Sequence, residues 1–317
     1  MTVAAQRSST MDGVLAIRKE AGWTSHDVVS KIRQILGGAK IGHAGTLDPS
    51  ATGVLPVLID RGTRIAEYLV EWNKEYHAVL RLGETTDTLD ATGTVLSRQP
   101  TDDVTEAAIH EVVGRFRGVI RQVPPMYSAV KVGGVPLYKL ARAGKTVPRD
   151  ARTVVISALD VLAIRGRDVT LKLICSKGTY VRTLCADLGE ALGVGAHLVT
   201  LERRRVGPLA LEQAITVEEV AMREALGQLS SHVMSLDVAL QNLPVVTVDG
   251  SMVDHVRHGA PVSLQGLTLG GGLSVLIRKP DTRVRIHDPH DRLVAIGRYP
   301  GERGTSLLVD KVLIPHE

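Results

Sequence analysis

Lys40-Ile41-Gly42-His43-Ala44-Gly45-Thr46-Leu47-Asp48-Pro49-Ser50-Ala51-Thr52-Gly53 is the stretch that organises the rest of this chain. Its three glycines and single proline exclude a regular helix, because glycine loses most entropy on ordering and proline cannot donate a backbone hydrogen bond. It is a shaped loop. Asp48 stands between Leu47 and Pro49, and the proline holds it in extended geometry, so its carboxylate is aimed. The apolar run Val54-Leu55-Pro56-Val57-Leu58-Ile59 follows as a buried strand or core segment, which would fix the loop to a rigid scaffold. The plain alternative is an Asp-Pro turn whose carboxylate caps its own backbone. Against it stand His43, five residues upstream, and flanking glycines that would let a ligand approach the backbone.

The full string resembles the signature loop of the TruB family of RNA pseudouridine synthases. By that resemblance Asp48 is the catalytic aspartate and His43 contacts the substrate RNA. Two later segments resemble the same family. In Lys177-Gly178-Thr179-Tyr180-Val181-Arg182-Thr183 the resemblance makes Tyr180 the residue on the target base and Arg182 the partner of Asp48. In Ala196-His197-Leu198-Val199-Thr200-Leu201-Glu202-Arg203-Arg204 it puts Leu201 at the substrate pocket. Upstream, Gly22, Thr24, Ser25 and Asp27 also fit, although Lys19-Glu20 stands where the family usually has Lys-Pro. That departure is expected to loosen a turn without touching the chemistry.

Upstream of the loop, Val14 to Ile17 reads as a strand, and Ser25 is placed to cap a helix with Val28, Val29, Ile32, Ile35 and Leu36 on one face and Gly37 as its stop. Downstream, Thr63 to Val70 reads as a second helix with Arg64 in its first turn. Lys74 to Leu82 alternates as a strand, with Tyr76, Ala78, Leu80 and Leu82 on one face. A tyrosine there is ordinarily core, but the family match assigns Tyr76 to the uridine pocket, where stacking on a base contributes about 1–3 kcal/mol. Gly83 to Gly93 is a turn-rich structural loop near the site, its carboxylates not spaced for calcium. Thr105 caps an amphipathic helix through Val113.

Ser128-Ala129-Val130-Lys131 matches Ser-x-x-Lys, but the companion elements of penicillin-binding enzymes are absent from the sequence. The segment that follows is basic: Lys131, Lys139, Arg142, Lys145, Arg149 and Arg152 stand against Asp150 alone, and Arg203-Arg204-Arg205 comes later. With Gly144 and Pro148, and with Tyr138 interleaved, it reads as a flexible loop lying along RNA phosphates, a solvated face being the alternative. The family carries an RNA-embracing insertion here. Arg64, Lys139 and Arg142 are accordingly expected to contact substrate RNA.

Thr153 to Ile164 and Val169 to Cys175 alternate as paired strands, and a helix follows Tyr180, with Arg182 in a first turn whose free N–H groups favour anions. Thr216 and Glu219 form a capping box. Gly193-x-Gly195 lacks the third glycine of a dinucleotide fingerprint. Beyond Pro244, Gly259, Gly266 and Gly270 to Gly272 punctuate short strands as far as Leu313, a weaker resemblance to a PUA-like RNA-binding barrel; a β appendage for packing or dimerisation is the alternative. His287-x-x-His290 within it lacks further ligands, and both histidines are expected on the surface.

Bulk properties agree with a folded chain. Hydrophobic residues make up 44% of its 317, with aromatics at only 3%, so Leu, Val, Ile and Ala must fill the core. A net charge of +4 is a modest basic excess. Cys175 and Cys185 match no zinc or redox spacing and read as buried thiols of a reducing compartment. No apolar window is long enough to span a bilayer.

The expectation is therefore an α+β protein. It comprises a disordered tail (1–10) and a mixed, largely antiparallel β-sheet catalytic domain (11–244) with flanking helices and an RNA-binding insertion (about 124–152). A small PUA-like β-barrel (245–317) completes it. By the resemblance it is a cytoplasmic, monomeric isomerase that converts the T-loop uridine of tRNA, position 55 in tRNA convention, to pseudouridine. It would need no cofactor, metal or obligatory protein partner. Asp48 would act at the sugar, Arg182 would keep it ionised, Tyr76 would hold the ring, and Tyr180 or an ordered water would handle the C5 proton. The alternatives are a tRNA-binding folding factor and a guide-dependent RNA pseudouridine synthase.

Overall fold

The structure, a computed structural model, describes residues 11–269, 281–299 and 304–314. The expected N-terminal tail, and Gly270 to Gly272, lie outside the described residues.

Strand β1 (Gly13–Lys19) runs through helix α1 (Ser25–Ile35) into β2 (Ile41–His43), the Asp48 loop and β3 (Thr52–Ile59). Helix α2 (Ala66–Leu69), β4 (Lys74–Leu82), the hairpin of β5 (Glu84–Thr86) and β6 (Val95–Arg98), α3 (Glu106–Arg115) and β7 (Gly118–Gln122) follow. The basic insertion holds β8 (Lys131–Val132), β9 (Val135–Pro136) and α4 (Leu137–Arg142). The chain continues through β10 (Arg152–Arg165), β11 (Asp168–Cys175), α5 (Val181–Ala191), β12 (Ala196–Val206), β13 (Leu209–Ala210), α6 (Val217–Ala225), β14 (Val233–Met234) and α7 (Leu236–Ala239). The C-terminal part comprises β15 (Val245–Val248), α8 (Gly250–Arg257), β16 (Val262–Ser263), β17 (Leu267–Leu269), β18 (Arg283–His287), β19 (Leu293–Arg298) and β20 (Ser306–Val312).

The main sheet has the order β14-β1-β3-β12-β4-β11-β10-β7, with β2 on β3 and β13 on β12. Its neighbours are antiparallel except β3 and β12, which run parallel at Thr52 and Gly53. Mixed and largely antiparallel, it makes the fold α+β. Strand β3 is buried on both faces, which its unbroken apolar run requires. One face packs Leu15, Ile17, Leu55 and Val57 on Val28 and Ile32 of α1 and Val220 of α6. The other packs Val14 and Leu58 on Leu69, Trp72 and Leu236, and takes Ile296 and Leu313 from the C-terminal part. Further along the sheet, Tyr76, Leu80, Leu171 and Leu173 meet Leu184 and Leu188 of α5 and Ile109 of α3.

Where β3 meets β12 the backbones nearly touch. A Cβ on Gly53 would lie 2.2 Å from the Arg203 carbonyl oxygen, and its φ of +105° is left-handed, so no other residue fits.

Several expectations are corrected. Thr24, not Ser25, caps α1: its Oγ1 accepts from the Asp27 N–H while the Asp27 carboxylate accepts from the Thr24 N–H. This leaves the Ser25 hydroxyl to bond the Asp48 loop. The helix expected over Thr63–Val70 is a 3-10 turn (Asp60–Ile65) leading into the single α turn of α2. Gly62 packs so closely on Gly13 that a Cβ would be 2.3 Å from its carbonyl, which holds the turn tight. The insertion, read as a flexible loop, carries a hairpin turned by Gly133 and Gly134, both with positive φ, and then α4. Leu137 of α4 is fully buried, and the Arg142 guanidinium lies 5.6 Å from the Tyr138 ring centre.

The C-terminal sheet has the order β16-β20-β19-β18-β15-β17 and packs Val246, Val284, Ile286, Ala295 and Leu307 against Val256 of α8. His290 is exposed, but His287, expected beside it on the surface, is buried. Its Nε2 is 2.8 Å from Asp237 Oδ1 and its Nδ1 2.7 Å from Asp291 Oδ1. Arg285 donates to the same Asp237 oxygen at 2.7 Å. The partner in α7 is fifty residues distant in sequence, beyond the reach of any local pattern.

Candidate active site

The Asp48 loop is held from four sides. Ser25 Oγ accepts from the Leu47 N–H at 2.9 Å and donates to the Leu47 carbonyl at 3.2 Å. Gly22 N–H donates to the Pro49 carbonyl at 2.9 Å. Lys19, buried, donates to the carbonyls of Trp23 (2.7 Å), Glu20 (2.9 Å) and Pro49 (3.2 Å). Arg203 donates to the carbonyls of Val54 (2.7 Å) and Gly45 (3.0 Å). The bonds from Lys19 and Arg203 are charge-assisted and lie inside the protein, so they fix the loop more firmly than exposed contacts would. Burial pulls the Lys19 ammonium down to about 8, against the opposing pull of the Asp48 carboxylate.

Asp48 thus projects into a cavity of about 300 Å³ whose walls include Tyr76, Tyr127, Ser128, Tyr180, Arg182, Leu201 and Lys74. Its side chain is 38% exposed, that of Arg182 only 6%. Arg182, in the first turn of α5, meets Asp48 side-on, with Nε 2.8 Å from Oδ2 and Nη2 3.3 Å from Oδ1. The same guanidinium donates to the carbonyls of Tyr127 (2.8 Å) and Thr88 (3.2 Å), and its Nε lies 3.8 Å from Asp90 Oδ2. One cation therefore ties together the Asp48 loop, the turn after β5 and the start of the insertion. Tyr76 is buried, which raises its phenol pKa above the ordinary value, so its hydroxyl stays protonated. Lys74 donates to the carbonyls of Val70 and Trp72, both at 2.5 Å, and burial lowers its pKa to about 8.

Of the residues singled out in the sequence, Asp48, Tyr76, Tyr180, Arg182 and Leu201 share this cavity. His43, Arg64, Lys139 and Arg142 do not line it. His43 sits in β2, and its pKa is lowered chiefly by burial, then by Arg203 and His26. Arg64, Lys139 and Arg142 are exposed. Arg203, counted with the free basic charge, is instead a buried brace. Its neighbours Arg204 and Arg205 pair with Glu202, Glu212 and Glu75. Asp90, Lys19 and Lys74 escaped notice. Asp90 sat in a loop of several carboxylates, and nothing local marked it as the one that Thr88 Oγ1 and the Thr92 N–H would hold toward Arg182. The lysines carried no signal, since a lysine's burial depends on carbonyls supplied by other segments.

A pinned carboxylate beside a buried guanidinium, under aromatic and apolar walls, is equipped to act on a polar substrate at a carbon or a proton. Residues 33–181 match the model of the TruB family pseudouridylate synthase N-terminal domain, and residues 182–241 that of the tRNA pseudouridylate synthase B C-terminal domain. The tRNA pseudouridine synthase B of Dechloromonas aromatica (strain RCB) is 46% identical over 254 residues, 80% of this chain and 84% of that protein. That of Burkholderia mallei (strain NCTC 10247) is 43% identical over 296 residues, 91% and 93% of the two chains. The crystal structure of a Cbf5-Nop10-Gar1 complex superimposes with a TM-score of 0.76 at 33% identity, covering 96% of this chain and 86% of that one. An H/ACA RNP bound to a substrate RNA containing 2′-deoxyuridine gives 0.74 at 31%, with 96% and 86% covered. With matches that run through every segment lining the cavity, the chain belongs to the TruB family of pseudouridylate synthases.

Proposed function

We propose that this protein is a tRNA pseudouridine synthase that isomerises the T-loop uridine, position 55 in tRNA convention. The observation that carries the reading is the Asp48–Arg182 pair. Its members are 134 residues apart in sequence, yet they meet at 2.8 Å in a cavity walled by Tyr76, Tyr180 and Leu201.

In the proposed reaction the target nucleotide is flipped out of its stack, since a stacked uridine cannot present its sugar to Asp48. Asp48 acts at the sugar, by adding to C1′ or by taking the 2′ proton. The N1–C1′ bond breaks, the uracil rotates against Tyr76, and C5 bonds to C1′. C5 then gives up its proton to Tyr180 or an ordered water, and N1 gains one. Atoms and electrons balance without an oxidant, a reductant or a high-energy donor, so no cofactor is invoked.

Around that centre, residues 11–244 form the catalytic domain and residues 245–317 a PUA-like RNA-binding domain. The latter reading is supported by the separate core beneath α8. His43, Arg64, Lys139 and Arg142 contact the T-arm, the last two from the exposed insertion. The protein works as a cytoplasmic monomer without an obligatory partner. Among the described residues no helix is long and apolar enough to cross a membrane.

The test is incubation of the purified chain with a T-arm stem-loop RNA in EDTA, with pseudouridine read by chemical mapping, beside Asp48→Asn. Product from the wild type alone is expected, while the variant still binds RNA within about threefold, because it loses a charge at the reacting centre and not the RNA-facing surface. Equal turnover by the variant would remove Asp48 from the role. The second reading, a guide-dependent synthase, is favoured by the likeness to the H/ACA assembly. Tight binding without product, followed by turnover on adding guide RNA, would select it; binding without turnover under any condition would select a folding factor.

A further inference from the structure

We infer that Gln122, the last residue of β7, is a positioning residue that sets Tyr180 for the reaction; the inference rests on the synthase reading above. Gln122 is 2% exposed, and among the described residues its carboxamide bonds Tyr180 alone. Oε1 accepts from the Tyr180 N–H at 3.1 Å, and Nε2 donates to the Tyr180 carbonyl at 3.3 Å. A primary carboxamide offers one donor and one acceptor side by side, so it grips both backbone groups of one extended residue as a neighbouring strand would.

Tyr180 needs such a grip. It is the N-cap of α5 with extended backbone (φ −101°, ψ 107°) and no side-chain cap. The turn before it runs through Gly178 in the left-handed region (φ +77°) and is tied by Thr179 Oγ1 to the Ser176 carbonyl at 3.0 Å. On the helix side the Tyr180 carbonyl already accepts from the Leu184 N–H at 3.0 Å, but the turn offers its N–H no such hold, and a tilt of that peptide moves the ring that lines the cavity. Gln122 supplies the constraint from a different strand.

Its position also matters. Val123, Pro124 and Pro125 follow directly, so Gln122 stands where the basic insertion leaves the sheet. Two more bonds leave the same stretch: the Tyr127 carbonyl accepts from Arg182 at 2.8 Å, and the Pro124 carbonyl accepts from Arg149 at 3.0 Å, tying the insertion's end to its start. The base of the insertion thus holds the backbone of Tyr180 and the guanidinium of Arg182 together, and a shift of the insertion on RNA reaches both groups.

The test compares wild type, Gln122→Met and Gln122→Glu on T-arm RNA, with kcat, KM, RNA affinity and melting temperature. Methionine fills the space and forms neither bond; glutamate, kept protonated by its burial, accepts from the Tyr180 N–H and offers its O–H to the Tyr180 carbonyl. Gln122→Met is expected to lower kcat at least about tenfold with KM and RNA affinity within about twofold, since misplacement of a reacting group costs rate and not binding. Gln122→Glu is expected to recover about a third or more of the wild-type kcat, the acceptor being the shorter of the two bonds. The inference is overturned if Gln122→Met stays within about twofold of wild-type kcat, if affinity falls in step with kcat, or if Gln122→Glu does no better than methionine. Should the methionine variant fail to fold, hydrogen exchange at the Tyr180 amide decides. Protection in wild type and Gln122→Glu supports the clamp, and rapid exchange in the wild type refutes it. A wild type that makes no pseudouridine would instead defeat the synthase reading, and the exchange measurement would still report on the clamp.

Discussion

Replacing Arg182 with lysine keeps the charge and removes the shape, which makes it the sharpest probe of the site. The guanidinium serves four acceptors at once: both oxygens of Asp48 and the carbonyls of Tyr127 and Thr88. A lysine ammonium is a compact point on a flexible stem and cannot match a carboxylate side-on while reaching two carbonyls in separate loops. Two carbonyls losing their donor cost about 1 kcal/mol each, and the second contact to Asp48 about 1 more, for a total of about 3 kcal/mol in stability. The effect on rate is separate. Asp48, held then by one contact, drifts by an amount on the order of 1 Å, and a displacement of that size costs about 100-fold in the chemical step. The assay is single-turnover loss of tritium from RNA carrying 5-tritiated uridine, with RNA affinity by filter binding and calorimetric melting in parallel. Arg182→Lys should melt several degrees lower, bind RNA within about threefold and react about 100-fold more slowly. A folded Arg182→Lys that reacts within about fivefold of wild type would show that charge alone, and not the side-on geometry, holds Asp48. Arg182→Met should be worse than lysine, because Asp48 and Asp90 then share the site with no cation between them.

Gly53→Ala forces a Cβ to within 2.2 Å of the Arg203 carbonyl in a left-handed backbone, and should destabilise the fold by about 3 kcal/mol or more in calorimetric melting. Replacing Lys139 and Arg142 together by alanine should weaken RNA binding and lower the slope of log affinity against log salt by about 1–2, with single-turnover rate at saturating RNA retained; an unchanged slope would make α4 a merely solvated helix. Burial, with Glu190 adding to it, raises the Asp187 carboxyl to about 6. That is above the unfolded value, so the folded chain favours the proton, and its contribution is complete below about pH 4 and lost as pH rises through about 6. Asp187→Asn should therefore gain on the wild type between pH 4 and pH 8 by about 1 kcal/mol, once the shift is reduced for partial solvent exposure. Denaturant titrations at the two pH values that show no such gain would mean the carboxyl is not held neutral.

Much of this protein was set by sequence alone because it is local. The apolar run from Val54 to Ile59, read as a buried strand or core segment, is β3, buried on both faces. The period of Val28, Val29, Ile32 and Leu36 specified α1, and the alternation from Lys74 to Leu82 put Tyr76 on the inner face of β4. Thr105 and Thr216 announced their helices by side chains that reach only three residues. Asp48 was singled out by a loop that glycines and a proline shape and by the resemblance of that loop to the TruB signature. What only the tertiary structure decided are the partnerships across long separations. Lys19 bonds a carbonyl thirty residues on, and Arg203 reaches Val54 and Gly45 across the parallel junction of β3 and β12. Asp90 turns toward Arg182, and His287 closes on Asp237. In each case a charged or polar side chain goes inside because another segment supplies the partner that offsets its desolvation. That partner is fixed by sheet order and register, which periodicity does not encode.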